Sequence, residues 1–332
     1  MNRISSNPFL TPALLRQSAD LRVNLQRASQ EMTTGKLTDP GQVLRGDFTT
    51  IASTDHALAR LNAFSAATTE LSLVAETMQR SLAVISDAAI ELATNLLRTT
   101  SGANETQLSA IAATGLRDFT TAVAVLNTRI SEKSIFRGDN PDQTALSDTE
   151  TILSALEAAI AGAISVSDIN DQIDSWFAGT TGFQMFYNGG NSRAALNIAP
   201  GETASLPVTA LDPAIRETLA GLAKVALLER GLLTGNHDAR SELAIQAGND
   251  LFNTSEKRSI LSGRIGSTEQ QLLQAKTRNA AEKSALSISR TSMTEADPYE
   301  TAIRLQDLES RLDAFYTITA RLSQLSLTGY LR

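Results

Sequence analysis

The chain has 332 residues, of which 42% are hydrophobic and only 5% aromatic, with no cysteine and a formal net charge of −7. Disulfides, thiol nucleophiles and thiolate metal sites are therefore excluded. An acidic chain without a Lys or Arg run does not suit a nucleic-acid binder either, because tracking a phosphate backbone needs a basic face. Burial falls mostly to Ala, Leu and Ile, which favours narrow aliphatic seams between helices over a thick globular centre.

Met1 to Thr11 contain one Arg and no long apolar run, so no Sec-type signal peptide is expected. Thr11-Pro12 reads as a helix N-cap with proline at the first helical position, where its missing N–H costs nothing. Leu14, Leu21, Leu25, Ala28 and Met32 then recur at spacings of seven, four, three and four, the seam of a coiled coil.

No proline occurs between Gly41 and Asn140. Leu71, Val74, Met78, Leu82, Ile85, Ala89, Leu92 and Leu96 keep three-four spacing, and Phe119, Val123, Leu126 and Ile130 repeat it after Ser101-Gly102. This predicts helices near 50–100 and 105–132, the first roughly 75 Å long at about 1.5 Å per residue.

From about Pro141 to Asp212 the character changes. Trp176, Phe177, Phe183, Phe186 and Tyr187 crowd into twelve residues and are followed by Asn188-Gly189-Gly190-Asn191. Ala195–Ile198 and Ser205–Val208 flank Pro200-Gly201-Glu202, a turn between two alternating strands. A small α+β domain is expected here, bordered by helices at Thr149–Ile164 and Asp212–Gly231. The run Ala155–Val166 carries Glu157 and is too short for a membrane helix, which needs about 20 residues.

A second proline-free block runs from Ala214 to Asp297. Its heptad frame through Leu251, Thr254, Arg258, Leu261, Ile265, Thr268, Leu272, Ala275 and Leu286 is apolar at only about every other position, a weak seam. Asp297-Pro298 opens a last helix over 298–327, with Glu300 placed to close a capping box. Its seam is Leu305, Leu308, Leu312, Phe315, Leu322 and Leu325.

The two stripes at the ends can cover each other or a neighbouring subunit. The expected fold is mainly α: a long antiparallel coiled-coil rod formed by both termini (1–140 and 213–332), with a small α+β domain inserted at 141–212.

Catalytic chemistry finds no foothold. His56 follows Asp55 directly, and adjacent helical residues point apart. Asn236-His237-Asp238 reads as a loop and N-cap, no Gly-x-Ser-x-Gly elbow exists, and two histidines without cysteine make a poor metal set. The aromatic cluster reads as the core of a small domain in preference to a ligand platform, and Gly189-Gly190 as a turn in preference to a phosphate cradle. No catalytic, cofactor or metal site is expected.

Several segments together resemble the flagellin family. They are Arg3, Ile4 and Asn7 at the start; Thr34-Gly35-Lys36 with Asp39-Pro40; Ile135-Phe136-Arg137-Gly138; Asp297-Pro298; and Tyr330 near the end. Ile4-Ser5-Ser6-Asn7 and the ending through Leu325-Ser326-Leu327 resemble the branch of that family lying between hook and filament more than the filament subunits. The resemblance implies a structural subunit, self-assembling through its termini and exported by the flagellar type III apparatus with an export chaperone. It also implies contacts with another hook-associated protein and with flagellin, an extracellular location, and neither nucleic-acid binding nor membrane insertion. A filament flagellin is the alternative within the family. A signalling coiled coil of chemoreceptor type is the alternative outside it, suggested by the polar heptads from Leu251 to Met293.

Overall fold

The computed structural model describes residues 10–43, 47–99, 104–140 and 142–330, with 10–12, 42, 43, 99 and 322–330 described by their backbone alone. It is mainly α, with two small antiparallel sheets. Among the described residues no helix is long and apolar enough to cross a membrane. Two compact units form, one from Met1–Arg60 with Ala281–Arg332, the other from Leu61–Ala280. Residues 141–212 fall in the same unit as 61–140 and 213–280.

In the first unit, α1 (Leu10–Thr34) is followed by the single turn α2 (Pro40–Val43) and the opening turns of α3 (Thr49–Thr99). The close of α9 (Ser255–Thr294) and all of α10 (Pro298–Tyr330) complete it. The described helix begins at Leu10, so Thr11 lies within α1 and does not act as its N-cap. The cap expected at Asp297 is present: its Oδ1 accepts the N–H groups of Tyr299 at 2.8 Å and Glu300 at 3.1 Å. The reciprocal half of the box is not made. Glu300 reaches forward instead, to Arg304 Nη2 at 3.3 Å, one turn further along α10.

The second unit is built around α7 (Pro213–Glu229), capped by Asp212 with proline at the first position. Its residues from Leu219 to Leu228 are buried on every side, which a helix achieves only when neighbours surround it. Those neighbours include α4 (Glu105–Leu126), α6 (Val166–Ala178) and α8 (His237–Asn253). Two glycines allow the close approach. A Cβ on Gly115 of α4 would lie 2.4 Å from Val225 Cγ1, and one on Gly221 of α7 would lie 2.7 Å from Leu251. The stripe Leu71, Val74, Met78, Leu82, Ile85, Ala89, Leu92 and Leu96 of α3 joins this core.

Four expectations are corrected in this unit. The helix drawn to 132 stops at Leu126, because the Asn127 side chain pairs with the backbone of Leu146, accepting its N–H at 2.7 Å and donating to its carbonyl at 3.1 Å. Ile130 then lies in β1 (Arg129–Ile130), paired antiparallel with β2 (Lys133–Ser134). The border helix drawn over Thr149–Ile164 ends at Ile160 as α5 (Thr149–Ile160), and a further helix that was not expected, α6, follows it, opened by a capping box between Ser165 and Asp168. The second strand of the later hairpin begins earlier than expected. β3 (Leu196–Ala199) turns through Pro200-Gly201, where Gly201 has φ +73°, directly into β4 (Glu202–Ala204). Finally, the heptad frame from Leu251 to Leu286 is cut at Thr254, the C-cap of α8, and α9 begins at Ser255.

Two buried polar side chains in this unit tie neighbouring elements together. Lys224, fully buried in α7, reaches Asp174 on α6 at 2.7 Å and Asp250 on α8 at 2.5 Å. Asn279 of α9 donates to the Ile198 carbonyl of β3 at 2.7 Å. Phe177 and Phe183 are buried in the core, with Trp176 packed edge-on against Phe177 at 5.0 Å, the core role expected of the aromatic cluster.

Candidate assembly surface

α1 and α10 lie antiparallel, as their side-chain bonds show. Arg22 donates to Tyr316 Oη, at 2.8 Å from Nη2, and one helix end away Arg304 pairs with Glu31 at 3.2 Å. The Arg22 guanidinium also sits over the Tyr316 ring, 5.9 Å from its centroid.

Where the helices turn, the chain makes a compact joint. Gly35 ends α1 at φ +65°, the left-handed C-cap that glycine adopts without strain, and its N–H bonds the Glu31 carbonyl at 2.8 Å. Lys36 and Glu295 then form an antiparallel bridge. Leu37 N–H donates to Thr294 at 2.9 Å and Ala296 N–H to Gly35 at 3.0 Å. Glu31 is nearly buried beneath this joint, with one oxygen accepting the Thr38 N–H at 2.9 Å and the other facing Arg304. Asp39 is exposed and accepts the Gly41 N–H at 3.1 Å, opening α2 at half-buried Pro40. Asp47 similarly receives Thr49 at the start of α3, which holds its carboxyl below the usual range. Beyond it, Arg290 pairs with Asp55, and that carboxylate holds the guanidinium above its ordinary value.

The seam residues are unevenly covered. Ala28 is 1% exposed and Leu308 9%, whereas Leu14, Leu21, Leu25, Leu305, Leu312 and Phe315 are only half-buried. Met32 is 47% exposed, and the buried place at that level is taken by Glu31. Leu15, Val23, Ile303 and Ile318 are exposed as well. Two helices offer each other a single line of contact, so much of their apolar surface stays in water. The side chains of Leu322, Leu325 and Tyr330, and Arg3, Ile4 and Asn7 entirely, lie outside the described residues.

Phe136 and Gly138 stand apart from this surface, in the second unit. Phe136 is fully buried and its carbonyl accepts Ala210 N–H at 3.0 Å. Gly138, at φ +76°, passes so close to Asn191 that a Cβ would lie 2.0 Å from its carbonyl oxygen. Asp297 and Pro298, by contrast, open α10 at the joint itself.

Sequence reasoning missed Glu31, Arg304, Arg22 and Tyr316. The available signal was that Glu31 continues the spacing from Ala28 by three, placing a carboxylate on the seam. Of the histidines, His56 is exposed on α3, and His237 bonds Glu105 at 2.9 Å beside the cap made by Asn236. Among the described residues no group of three or more His, Asp or Glu is gathered as a metal site would require.

No protein-family model and no curated protein matches the chain. Among solved structures it is similar to the crystal structure of Bacillus cereus FlgL, at 13% sequence identity and a TM-score of 0.46, covering 70% of this chain and 96% of that one. It is also similar to a protein assigned as flagellar hook-associated from Vibrio parahaemolyticus, at 13% identity and a TM-score of 0.44, covering 87% and 99%.

Proposed function

We propose that this chain is a structural, non-enzymatic subunit of the bacterial flagellum that joins hook to filament and assembles through its paired termini. One observation carries the reading. The segments that resemble the flagellin family near the two ends, Gly35-Lys36 and Asp297-Pro298, belong to one joint, from which α1 and α10 extend with seams only partly covered.

In this reading neighbouring copies, a hook-associated protein and flagellin cover Leu14, Leu21, Leu25, Leu305, Leu312 and Phe315. An apolar side chain left half in water gains roughly 1 kcal/mol or more on full burial, so ordering of the helix pair is coupled to assembly. The chain reaches its extracellular site through the flagellar type III apparatus, with an export chaperone.

Immunogold labelling of flagella tests the location. Label confined to the hook–filament boundary supports the proposal, and label along the filament replaces it with a filament flagellin. Limited proteolysis of the purified monomer tests the coupling. Trimming before about Leu37 and after about Glu300, with 60–290 spared, is expected, whereas full protection of both ends in a monomer rejects it.

A further inference from the structure

We propose that Arg258 and Ser86 form a binding site for a small oxyanion of the phosphate or sulfate kind, in the cavity between α3, α7 and α9. Arg258 is only 7% exposed, yet no carboxylate among the described residues lies within 4.0 Å of its nitrogens. A buried charge is ordinarily paired, because an uncompensated ion in a poorly solvated interior is costly. The other buried cations of this unit show the contrast. Lys224 has Asp174 and Asp250, and Arg240 has Glu105. Arg137, also buried without an acid, donates to the Asn188 carbonyl at 2.6 Å but lines none of the described cavities.

Arg258 does line one, of about 340 Å³, together with Ser86, Asp87, Thr218, Ser259 and Ser262. Its present partners take four of the five guanidinium N–H groups and leave one, on Nη2. A single acceptor, the Leu251 carbonyl in the last turn of α8, takes both Nη1 and Nη2 at 3.1 Å. The bonds to Ser86 Oγ and Thr218 Oγ1 are 3.3 Å each, longer than the usual N–H···O distance of about 2.9–3.0 Å. The C-terminal end of α8 offsets part of the charge. Burial nonetheless holds the guanidinium below its ordinary pKa, with no acid to oppose it.

The hydroxyls sort themselves. Thr218 donates to Ala214 at 2.7 Å, Ser259 to Ser255 at 3.0 Å and Ser262 to Gln79 at 2.6 Å. Ser86 only accepts, so its O–H is the donor left for a ligand. The remaining Nη2 N–H, the long and weak bonds of its neighbours, and one free hydroxyl at a cavity wider than an inorganic anion suit a tetrahedral oxyanion, with room for water or an attached organic group. Asp87, exposed, is the carboxylate lining the cavity, and its charge opposes an anion there.

The experiment uses the full chain and inorganic phosphate, by calorimetric titration and by thermal unfolding against chloride at equal ionic strength. Wild type is expected to bind and to unfold at a higher temperature as phosphate rises. Ser86→Ala, a change at a half-buried position that leaves the packing intact, should weaken binding roughly three- to tenfold, Arg258→Met should abolish it, and Asp87→Asn should tighten it. An equal rise in unfolding temperature for wild type and Ser86→Ala would mark a general salt effect and overturn the site. So would the absence of any phosphate-dependent shift in wild type.

Discussion

Glu31 Oε2 stands 3.2 Å from Arg304 Nη1, in an ion pair whose acid side chain is 8% exposed and whose base is 45% exposed. The two partners therefore differ in what their loss costs. Glu31→Ala also strips the acceptor from Thr38 N–H and is expected to destabilise the α1–α10 pair by about 1–3 kcal/mol. Arg304→Ala, whose cation is half in water already, should cost under about 1 kcal/mol. Amide exchange at Thr38 reads the difference, and equal protection loss in both variants would contradict it.

Leu312→Glu and Phe315→Glu place charge on the half-buried seam that a neighbour covers in the proposed assembly. Loss of incorporation into flagella is expected, with filaments shed into the medium, while thermal unfolding of the 61–280 unit is unchanged. Normal motility in either strain would remove these residues from the assembly surface.

Gly115→Ala drives a methyl into Val225 on the central helix. Overpacking of this kind costs about 1–3 kcal/mol, measurable by denaturant unfolding. Val225→Ala should restore only part of it, since the contact at 2.4 Å to Cγ1 disappears while that at 2.7 Å to Cβ remains.

Lys224 supplies an asymmetric test. Asp174→Ala with Asp250→Ala leaves a fully buried ammonium without a partner, and the expected loss is about 3–5 kcal/mol. Lys224→Met instead leaves two partly exposed carboxylates that water can serve, and should cost far less. If the lysine replacement proves the more damaging, the triad contributes net stability and not a debt owed to burial.

The Glu105 carboxyl is held below its ordinary value first by the hydrogen bond from His237, then by the charge of Arg240. A depressed acid pKa adds stability that is complete above the unfolded value, 4.5, and fades as pH falls through the folded one. Glu105→Gln should therefore narrow the gap to wild type as pH drops below about 4.5, in unfolding curves across that range.

Much of this architecture can be read from particular residues. Asp212-Pro213 and Asp297-Pro298 start helices because aspartate caps and proline tolerates the first position, and Asn236 caps α8 through its side-chain oxygen, which accepts the Ala239 N–H. What escaped reading had competing signals. In α6 the helical spacing of Val166, Ile169, Ile173 and Phe177 was overshadowed by the aromatic crowding that follows. The break at Thr254 carries no glycine or proline, and its backbone, at φ −75° and ψ −8°, departs little from a helix. The joint itself was half visible: Gly35 announced the end of α1, but its partner segment, Thr294–Ala296, is about 260 residues away, and only folding brings it to hand. Glu31 was hidden because periodicity reads apolar residues and passes over a carboxylate that completes their row.

The Arg22–Tyr316 bond also implies an order of events. Made from an unfolded chain, it closes a loop of 294 residues. If Asp55 and Arg290 are already side by side, the remaining segments to be closed amount to about sixty residues, and the entropic cost falls by about 1.4 kcal/mol, close to tenfold in population. Pairing of α1 with α10 at Arg22 and Tyr316 thus belongs at the end of folding, propagating outward from the Asp55–Arg290 pair, and this contact is the last to form and the first to open.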